Sequence, residues 1–446
     1  MYTKTYYGMA GTSWLGCRST PHPLRLSCKR EIGVDLFQDA EKRELVESEG
    51  KMRFENKRSV AKSSSFAVLT LLVAACGSST PSASSASTSS AKATSTTASA
   101  AGQVSQAQAE IAKYMAMPTF VDPGPAIDVS KLKGKKVLVV LDAPAPSLQN
   151  IATAISQAGQ AAGIQVQVFN GQGTLSTIEQ GIQQGINQQV GAIILAGVAT
   201  SQVPSSVAAA NAAKIPIVDV VAGEPTPGVA GQGYGSSIFG GSGPSWVELG
   251  RLMADTAIVH SSGGSINVGV ITFDNPISTG VVEGIKAVFS KCSNCHILST
   301  QDIEPTNWAT KVAGATSSLI LANPNLNYVF PVSDTPSIFA TAGVSQAGAA
   351  GHVAVVTSGS NGPATIALVQ KGPIMIADPG SSAPWSGWEA MDQALRAMSG
   401  MKPGNPATPI RYLDKSNLAG LQLTSDLSSV FGDSYVAGYK KLWGLG

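Results

Sequence analysis

Short apolar runs rich in β-branched residues alternate with longer amphipathic stretches from Lys135 onward. The runs are continuous, with no polar residue at every second position, which is typical of strands covered on both faces in a parallel sheet. Four runs predict strands in the first part of this region, at residues 136–141, 165–169, 192–196 and 215–220. Helices are predicted between them at residues 148–162, 177–188 and 203–213.

The same alternation begins again in the second part of the chain. Further strands are predicted at residues 265–273, 296–300, 328–332 and 352–357, separated by helices. Two series of this kind predict an α/β fold with two doubly wound parallel-sheet lobes. The 446 residues are enough to build both lobes.

A separate apolar stretch at residues 66–75 precedes this pattern and ends at Cys76. It is too short to span a bilayer, which needs about 20 apolar residues, and basic residues stand before it, so it predicts an export signal over residues 52–76. Residues 73–76 resemble the lipobox of bacterial lipoproteins, which implies lipidation at Cys76. An ordinary signal peptide with an incidental cysteine is the alternative.

The segments on either side of this signal have no strand or helix pattern. Residues 1–51 are interpreted as an over-extended, unstructured N-terminus, with translation starting at Met52. Residues 77–133 are predicted to be a tether and lead-in, because 22 of the 26 residues from 77 to 102 are Ser, Thr or Ala. Such a composition buries too little apolar surface to offset its ordering entropy.

Composition and charge remove several function classes. The chain is 43% hydrophobic and 13% charged, as an ordinary globular protein is. Twelve of its 30 basic and eight of its 28 acidic side chains lie in residues 1–75, which leaves 18 against 20 in the exported part. The near balance, without a basic stripe, argues against nucleic acid as a partner.

An ordered set of segments resembles the ribose-type periplasmic sugar-binding proteins, which have the type 1 periplasmic-binding-protein fold. The segments are residues 189–195, 213–218, 248–252, 307–308, 322–329, 333–334, 387–392 and 400–403. The resemblance covers the chain from Lys135 to its end. It implies two lobes, at residues 134–241 with 379–408 and at residues 242–378 with 409–446, and a hinge crossed three times.

Polar residues that directly follow predicted strands are the candidates for ligand binding, because ligands of open α/β sheets bind beyond the carboxyl ends of the strands. Asp142 and Ser147 follow the first strand, although Asp142 could equally cap the next helix. Phe273, Asp274 and Asn275 close the first strand of the second lobe. Asp274 is the strongest carboxylate candidate, with a turn before Pro276 as its alternative.

Tryptophans are candidates because aromatic rings stack on the apolar faces of sugars or enclose apolar ligands. Trp308 stands where the resemblance implies a tryptophan in the cleft. Trp385, at the mouth of a predicted helix, is predicted to face the cleft, whereas Trp388, inside that helix, is predicted to be core. The remaining candidates are Asp334, Ser358, Asn361 and Asp378.

Three departures from the family pattern concern the ligand. The sugar binders often have one arginine where residues 220–222 stand here and another where Val281 stands, and an aspartate of theirs is missing from residues 357–361. A standard sugar would then leave hydroxyls unpaired, which favours a ligand that is less polar or differently shaped. A sugar remains the default ligand that the resemblance implies.

Cys292 and Cys295 form a lone C-x-x-C. A zinc site needs two more ligands, and a redox motif belongs at a helix start, so a local disulfide is the predicted role outside the cytoplasm. No metal site and no cofactor are expected.

The resemblance implies a monomeric, lipid-anchored solute-binding protein that delivers a small molecule to an ABC permease. The alternative is a binding component for a sensor kinase or chemoreceptor. An enzyme is not expected, because the sequence lacks a G-x-S-x-G elbow, an H-E-x-x-H motif and a P-loop.

Overall fold

The computed structural model describes residues 91–223, 237–359, 362–405 and 408–446. The predicted export signal with Cys76, and the candidate Asn361, lie outside the described residues.

Parallel strands form two five-stranded sheets. The first sheet contains β1 (Lys136–Leu141), β2 (Gln165–Asn170), β3 (Ala192–Ala196), β4 (Ile217–Val220) and β5 (Gly240–Ser242). The second contains β6 (Ile266–Thr272), β7 (Cys295–Asp302), β8 (Tyr328–Pro331), β9 (Ala354–Val356) and β10 (Met375–Ala377). A two-stranded antiparallel ribbon pairs β11 (Gly380–Ser381) with β12 (Ile410–Arg411).

Helices cover both sheets. In chain order they are α1 (Ala91–Ala112), α2 (Pro146–Ala162), α3 (Leu175–Asn187), α4 (Pro204–Ala212), α5 (Trp246–His260), α6 (Pro276–Phe289), α7 (Trp308–Ala322), α8 (Asp334–Gln346), α9 (Pro363–Lys371), α10 (Ala383–Met398), α11 (Lys415–Leu418), α12 (Ser428–Phe431) and α13 (Ser434–Leu442).

The two sheets share one topology. The first runs β2-β1-β3-β4-β5 and the second β7-β6-β8-β9-β10, so each repeats the doubly wound order 2-1-3-4-5. The central strands β3 and β6 are buried at every position, which explains the continuous apolar run of β3. The predicted fold class of two doubly wound parallel-sheet lobes is confirmed.

The chain passes between the lobes at three places within this core. It leaves the first sheet after β5 and enters α5, returns through β11 into α10, which packs on α2, and leaves again through β12. These are the three crossings that the family resemblance implies.

Two further passages lie outside that core. In the lead-in, α1 packs on α5 of the second lobe, whereas the 3-10 turn Val129–Leu132 packs on α2 and α10 of the first. At the other end, Val430 and Phe431 of α12 belong to the core of the second lobe, but α13 packs on α10. Residues 434–442, predicted to lie in the second lobe, therefore pack on the first.

The tether prediction also needs correction, because α1 begins at Ala91 and not after residue 102. Alanine has the highest helix propensity, and the helix gains a packing surface further along. Ala107 is 1% exposed and Ile111 is 9% exposed in the main core. A sequence rich in Ser, Thr and Ala can therefore be helical when its end is packed.

Helices α5 and α6 cross at a glycine on each side. A Cβ atom placed on Gly250 would lie 2.0 Å from the carbonyl oxygen of Val281, and one on Gly284 would lie 2.0 Å from that of Val247. The backbones therefore approach each other more closely than any residue with a Cβ atom allows. Val281 is fully buried at this crossing, so a valine at this position serves helix packing.

An aromatic cluster with a buried ion pair joins α10 to the C-terminal segment. The rings of Trp388 and Trp443 stack with their centroids 5.4 Å apart. Beneath them Arg396 Nε donates to Asp392 at 2.7 Å, and Trp443 Nε1 donates to the other carboxylate oxygen at 2.8 Å. Both charged side chains are 1% exposed. The prediction that Trp388 is a core residue agrees with its 3% exposure.

Among the described residues, no helix combines the length and the apolar character needed to cross a membrane.

Candidate functional site

Each sheet has one point where the winding reverses, between β1 and β3 in the first and between β6 and β8 in the second. Loops that leave adjacent strands in opposite directions open a crevice at such a point, beyond the carboxyl ends of the strands. Asp142 follows β1, and Asp274 and Asp334 lie after β6 and β8. The topology therefore brings candidate carboxylates to both switch points.

Asp142 does not cap the helix that follows it. The residue before α2 is Ala145, which provides no side-chain cap, and the Asp142 carboxylate receives no hydrogen bond from any described residue. A Cβ atom on Gly197, at the end of β3, would lie 3.5 Å from Cβ of Asp142. Partial burial raises the pKa of Asp142. Ser147 lies half-buried in the first turn of α2.

In the loop after β6, Asn275 caps the next helix, which leaves Asp274 free of that role. Asn275 Oδ1 accepts from the backbone N–H of Ile277 at 2.8 Å and caps α6, so the capping role falls to Asn275 and not to Asp274. Asp274 is exposed. A carboxylate without a structural hydrogen bond among the described residues is available for a ligand.

Phe273 and Trp308 form an aromatic pair beside this loop, with ring centroids 5.2 Å apart in an edge-to-face arrangement. Trp308 Nε1 donates to the carbonyl oxygen of Ile303 at 2.8 Å, which fixes the indole. Phe273 is 9% exposed, whereas Trp308 is half-buried. The partly open ring is therefore that of Trp308.

Asp334, which follows β8, contacts the loop after β9 that contains Ser358. Asp334 begins α8, and its Oδ2 accepts from the backbone N–H of Gly362 at 2.8 Å. A Cβ atom on Gly359 would lie 2.8 Å from Oδ1 of Asp334, so only glycine fits there. Ser358 is fully buried, and its hydroxyl donates to the carbonyl of Val332 at 3.5 Å. Asp334 organises the backbone of these two loops.

Two candidates at the second crossing are buried. Asp378 is fully buried, and its backbone N–H donates to the carbonyl of Leu413 at 2.9 Å. Trp385 is 2% exposed and packs on Tyr435, with ring centroids 4.9 Å apart. The prediction that Trp385 faces the cleft is therefore wrong for this conformation, because the added segment α13 supplies a covering ring.

The turn after β4 was not predicted as a site. Val221 has φ of 61°, a left-handed conformation that β-branched residues rarely adopt. Asp219 Oδ1 holds this turn by accepting from the backbone N–H groups of Ala222 and Gly223, at 3.1 and 3.2 Å. Strain of this kind is often kept where it positions a functional backbone. Trp246 Nε1 donates to the carbonyl of Gly223 at 3.2 Å, which ties the turn to α5.

Side chains of α10 connect the crossings to each other. Gln393 Nε2 donates to the carbonyl oxygens of Gly241 and Gly404, at 3.3 and 3.2 Å. The Thr408 hydroxyl donates to Glu389 and accepts from the N–H of Gly243 at 3.0 Å. These bonds join the first and third crossings through one helix.

Glu389 makes the stability of this hinge depend on pH. Burial raises the pKa of Glu389 to about 8, although hydrogen bonds from Thr408 and Trp385 oppose the shift. The folded state keeps a proton that the unfolded state releases, so this stabilisation is complete below the ordinary glutamate pKa and is lost as pH rises through about 8. We expect the melting temperature to fall between mildly acidic and mildly alkaline pH. Glu389→Gln should flatten that slope in melting curves.

Glu304→Gln, a change at an exposed glutamate, provides the matched control and should leave the slope unchanged. An equally steep slope in Glu389→Gln would refute the assignment. Asp219 and Asp255, whose burial raises each pKa to about 7, account for the residual slope.

A disulfide joins Cys292 and Cys295, whose Cα atoms are 5.4 Å apart, and closes the turn between α6 and β7. Within the described ranges, no group of three or more His, Cys, Asp or Glu side chains is placed to hold a metal ion.

Residues 137–402 match the family model described as the periplasmic binding protein domain. A search of curated proteins found no match.

Several solved structures share the fold. A periplasmic solute-binding protein from Actinobacillus succinogenes 130z with bound D-allose is 19% identical, covering 64% of this chain and 99% of its own, with a TM-score of 0.55. An ABC transporter solute-binding protein from Burkholderia graminis C4D1M with D-arabinose is 20% identical, covering 65% of this chain and 98% of its own, with a TM-score of 0.56. Another ABC transporter solute-binding protein, from Mycobacterium smegmatis with glycerol, is 18% identical, covering 66% of this chain and 99% of its own, with a TM-score of 0.58.

Proposed function

This chain belongs to the periplasmic binding protein family, and from that premise we propose that it captures a small polyhydroxylated or less polar molecule between its lobes and delivers it to an ABC permease. The observation that carries the proposal is the Asp142 carboxylate, which lies half-buried at the β1/β3 switch point without a partner among the described residues. An unpaired carboxylate in such a crevice is suited to accept hydrogen bonds from ligand hydroxyls.

The second lobe would contribute Asp274 and the open face of Trp308. A carboxylate and an aromatic ring on the same lobe can together bind the hydroxyl groups and the apolar face of a sugar ring. The solved relatives with D-allose, D-arabinose and glycerol point to the same class of ligand.

Val221 favours a ligand with fewer hydroxyl groups than a typical hexose. It lies in residues 220–222, where the sugar binders often carry an arginine, and its position after β4 offers backbone and apolar contacts in place of a guanidinium. The absence of arginine at Val281 no longer supports this view, because Val281 is fully buried where α5 and α6 cross.

A thermal-shift panel of sugars, polyols, nucleosides and small aromatic acids tests the proposal. A ligand at 100 times its dissociation constant should stabilise the protein by about 2.7 kcal/mol, because it binds only the folded state. Asp274→Ala should abolish that shift and leave the melting temperature without ligand unchanged, since the side chain is exposed.

Two variants serve as controls. Asp302→Ala removes an exposed carboxylate at the end of the edge strand β7 and should keep the response. Asn275→Ala removes the α6 cap and should cost about 1 kcal/mol of stability. A large loss of stability in Asp274→Ala would assign this residue to structure, and a response limited to ordinary hexoses would contradict the inference from Val221.

We extend the proposal to a location outside the cytoplasm with lipidation at Cys76. The family implies an extracytoplasmic protein, and residues 73–76 supply the lipobox-like segment. Radiolabelled palmitate incorporated into the wild type but not into Cys76→Ala would support the anchor.

A further inference from the structure

A second cavity lies away from both switch points. It has a volume of about 450 Å³, is open to solvent on one side, and is lined by α1 of the lead-in and by α5 and α6 of the second lobe. Sites for small molecules commonly occupy 300–1,000 Å³, so this cavity could hold a compact ligand. Its lining combines polar and charged side chains with the apolar residues Ala107, Ile258 and Val288.

The charges in this cavity leave one carboxylate without a partner. Lys113 pairs with Glu110 at 2.5 Å, and Arg251 pairs with Glu248 at 3.4 Å. Asp255 lies one helical turn after Arg251 but is not paired with it. The Asp255 side chain makes no hydrogen bond or ion pair with any described residue, although it is only 7% exposed.

A buried, unpaired carboxylate is costly, and a cation that enters the cavity would offset this cost. Burial, together with the neighbouring Glu110 and Glu248, raises the pKa of Asp255 to about 7, although Arg251 and Lys113 oppose the shift. The other titratable groups around it are Tyr114, Tyr412 and Lys291. Tyr114 donates to Glu248 at 3.1 Å and so is already engaged.

We propose that this cavity binds a small organic cation whose primary ammonium group donates hydrogen bonds to Asp255 and whose hydrocarbon part lies on Ala107, Ile258 and Val288. An ammonium group fits better than a divalent metal, because no metal-ligand cluster of three or more occurs among the described residues. One wall belongs to α1, so the bound cation bridges the lead-in helix and the second lobe.

Calorimetric titration of the full chain with n-butylamine at pH 8 tests this site, with 1-butanol as the neutral probe of the same shape. Butylamine should bind saturably and 1-butanol should not. Affinity for the amine should fall about tenfold for each pH unit below 7, because protonated Asp255 carries no charge to pair.

Asp255→Asn should abolish amine binding while the protein remains folded, since the change keeps the shape and removes a buried charge. Ala287→Met narrows the cavity without changing its charge and should also abolish binding. Asp274→Asn, a change in the other site, should leave it intact.

Four results would each overturn the proposal: no heat from butylamine at millimolar concentration, equal binding of 1-butanol, binding retained in Asp255→Asn, or the same response to sodium and potassium chloride. The last would assign the cavity to an inorganic cation. None of these results bears on the sugar panel, because the two sites share no residue.

Discussion

Replacing Arg396 with alanine should lower the free energy of unfolding by about 3–5 kcal/mol, because it leaves Asp392 as an uncompensated buried charge. The guanidinium also donates to the carbonyl oxygen of Pro125 at 3.0 Å, so the change releases the lead-in as well. Burial already raises the pKa of Asp392, and Arg396 is the largest influence opposing that shift. Urea denaturation followed by tryptophan fluorescence measures the loss, since Trp388 and Trp443 lie over the ion pair.

The double variant Arg396→Met with Asp392→Leu distinguishes a lost charge partner from lost packing. An apolar pair of similar size should recover part of the stability, because replacing a whole buried ion pair costs less than removing half of it. Lys131→Ala, which removes an exposed ion pair with Asp128, should produce no measurable change. If Arg396→Ala were as mild as Lys131→Ala, the pair would have no role in stability.

Replacing Gly284 with alanine should cost about 3 kcal/mol, the upper part of the range for overpacked cores. The new Cβ would meet the carbonyl oxygen of Val247 at 2.0 Å and the amide nitrogen of Arg251 at 2.8 Å. Both are backbone atoms, so no side chain can rotate away and the two helices must separate.

Gly314→Ala is the matched control, because Gly314 is exposed in α7 and a Cβ atom there would meet nothing within 4 Å. It should stabilise the protein by about 0.5–1 kcal/mol through the higher helix propensity of alanine. Denaturation midpoints of the two variants should therefore shift in opposite directions. Shifts of the same sign and size would show that α5 and α6 can separate at little cost.

The sheets were predictable because each buried strand is marked by the apolar residues of its own short segment. A strand covered on both faces is apolar along most of its length, as β3 is throughout and β1 is after Lys136. The position of Asp142 followed, since a polar residue directly after such a strand lies at the carboxyl edge of the sheet. The resemblance to periplasmic binding proteins, drawn from the order of these segments, is confirmed by the family match.

Features set by distant contacts were not predictable. Trp385 is covered by Tyr435, which lies 50 positions later in the chain. The residues around Trp385 at the start of its helix do not indicate that this partner exists. The left-handed conformation of Val221 depends on hydrogen bonds to Asp219, and nothing in the residue itself favours it. Likewise, α1 depends on packing against α5, which its composition of small residues does not reveal.

The passages between the lobes limit how they can move. Two lobes joined by a single segment can rotate about any axis that passes through that segment. Each additional connecting segment excludes every rotation that would stretch or compress it. The lead-in is fixed beside β12, where the N–H of Tyr412 donates to the carbonyl of Tyr114 at 2.8 Å, and Phe120 packs on Tyr439 of α13 with ring centroids 4.9 Å apart. With five passages within the described residues, closure is restricted to a bend that opens and shuts the crevice, and twisting or sliding of one lobe over the other is suppressed.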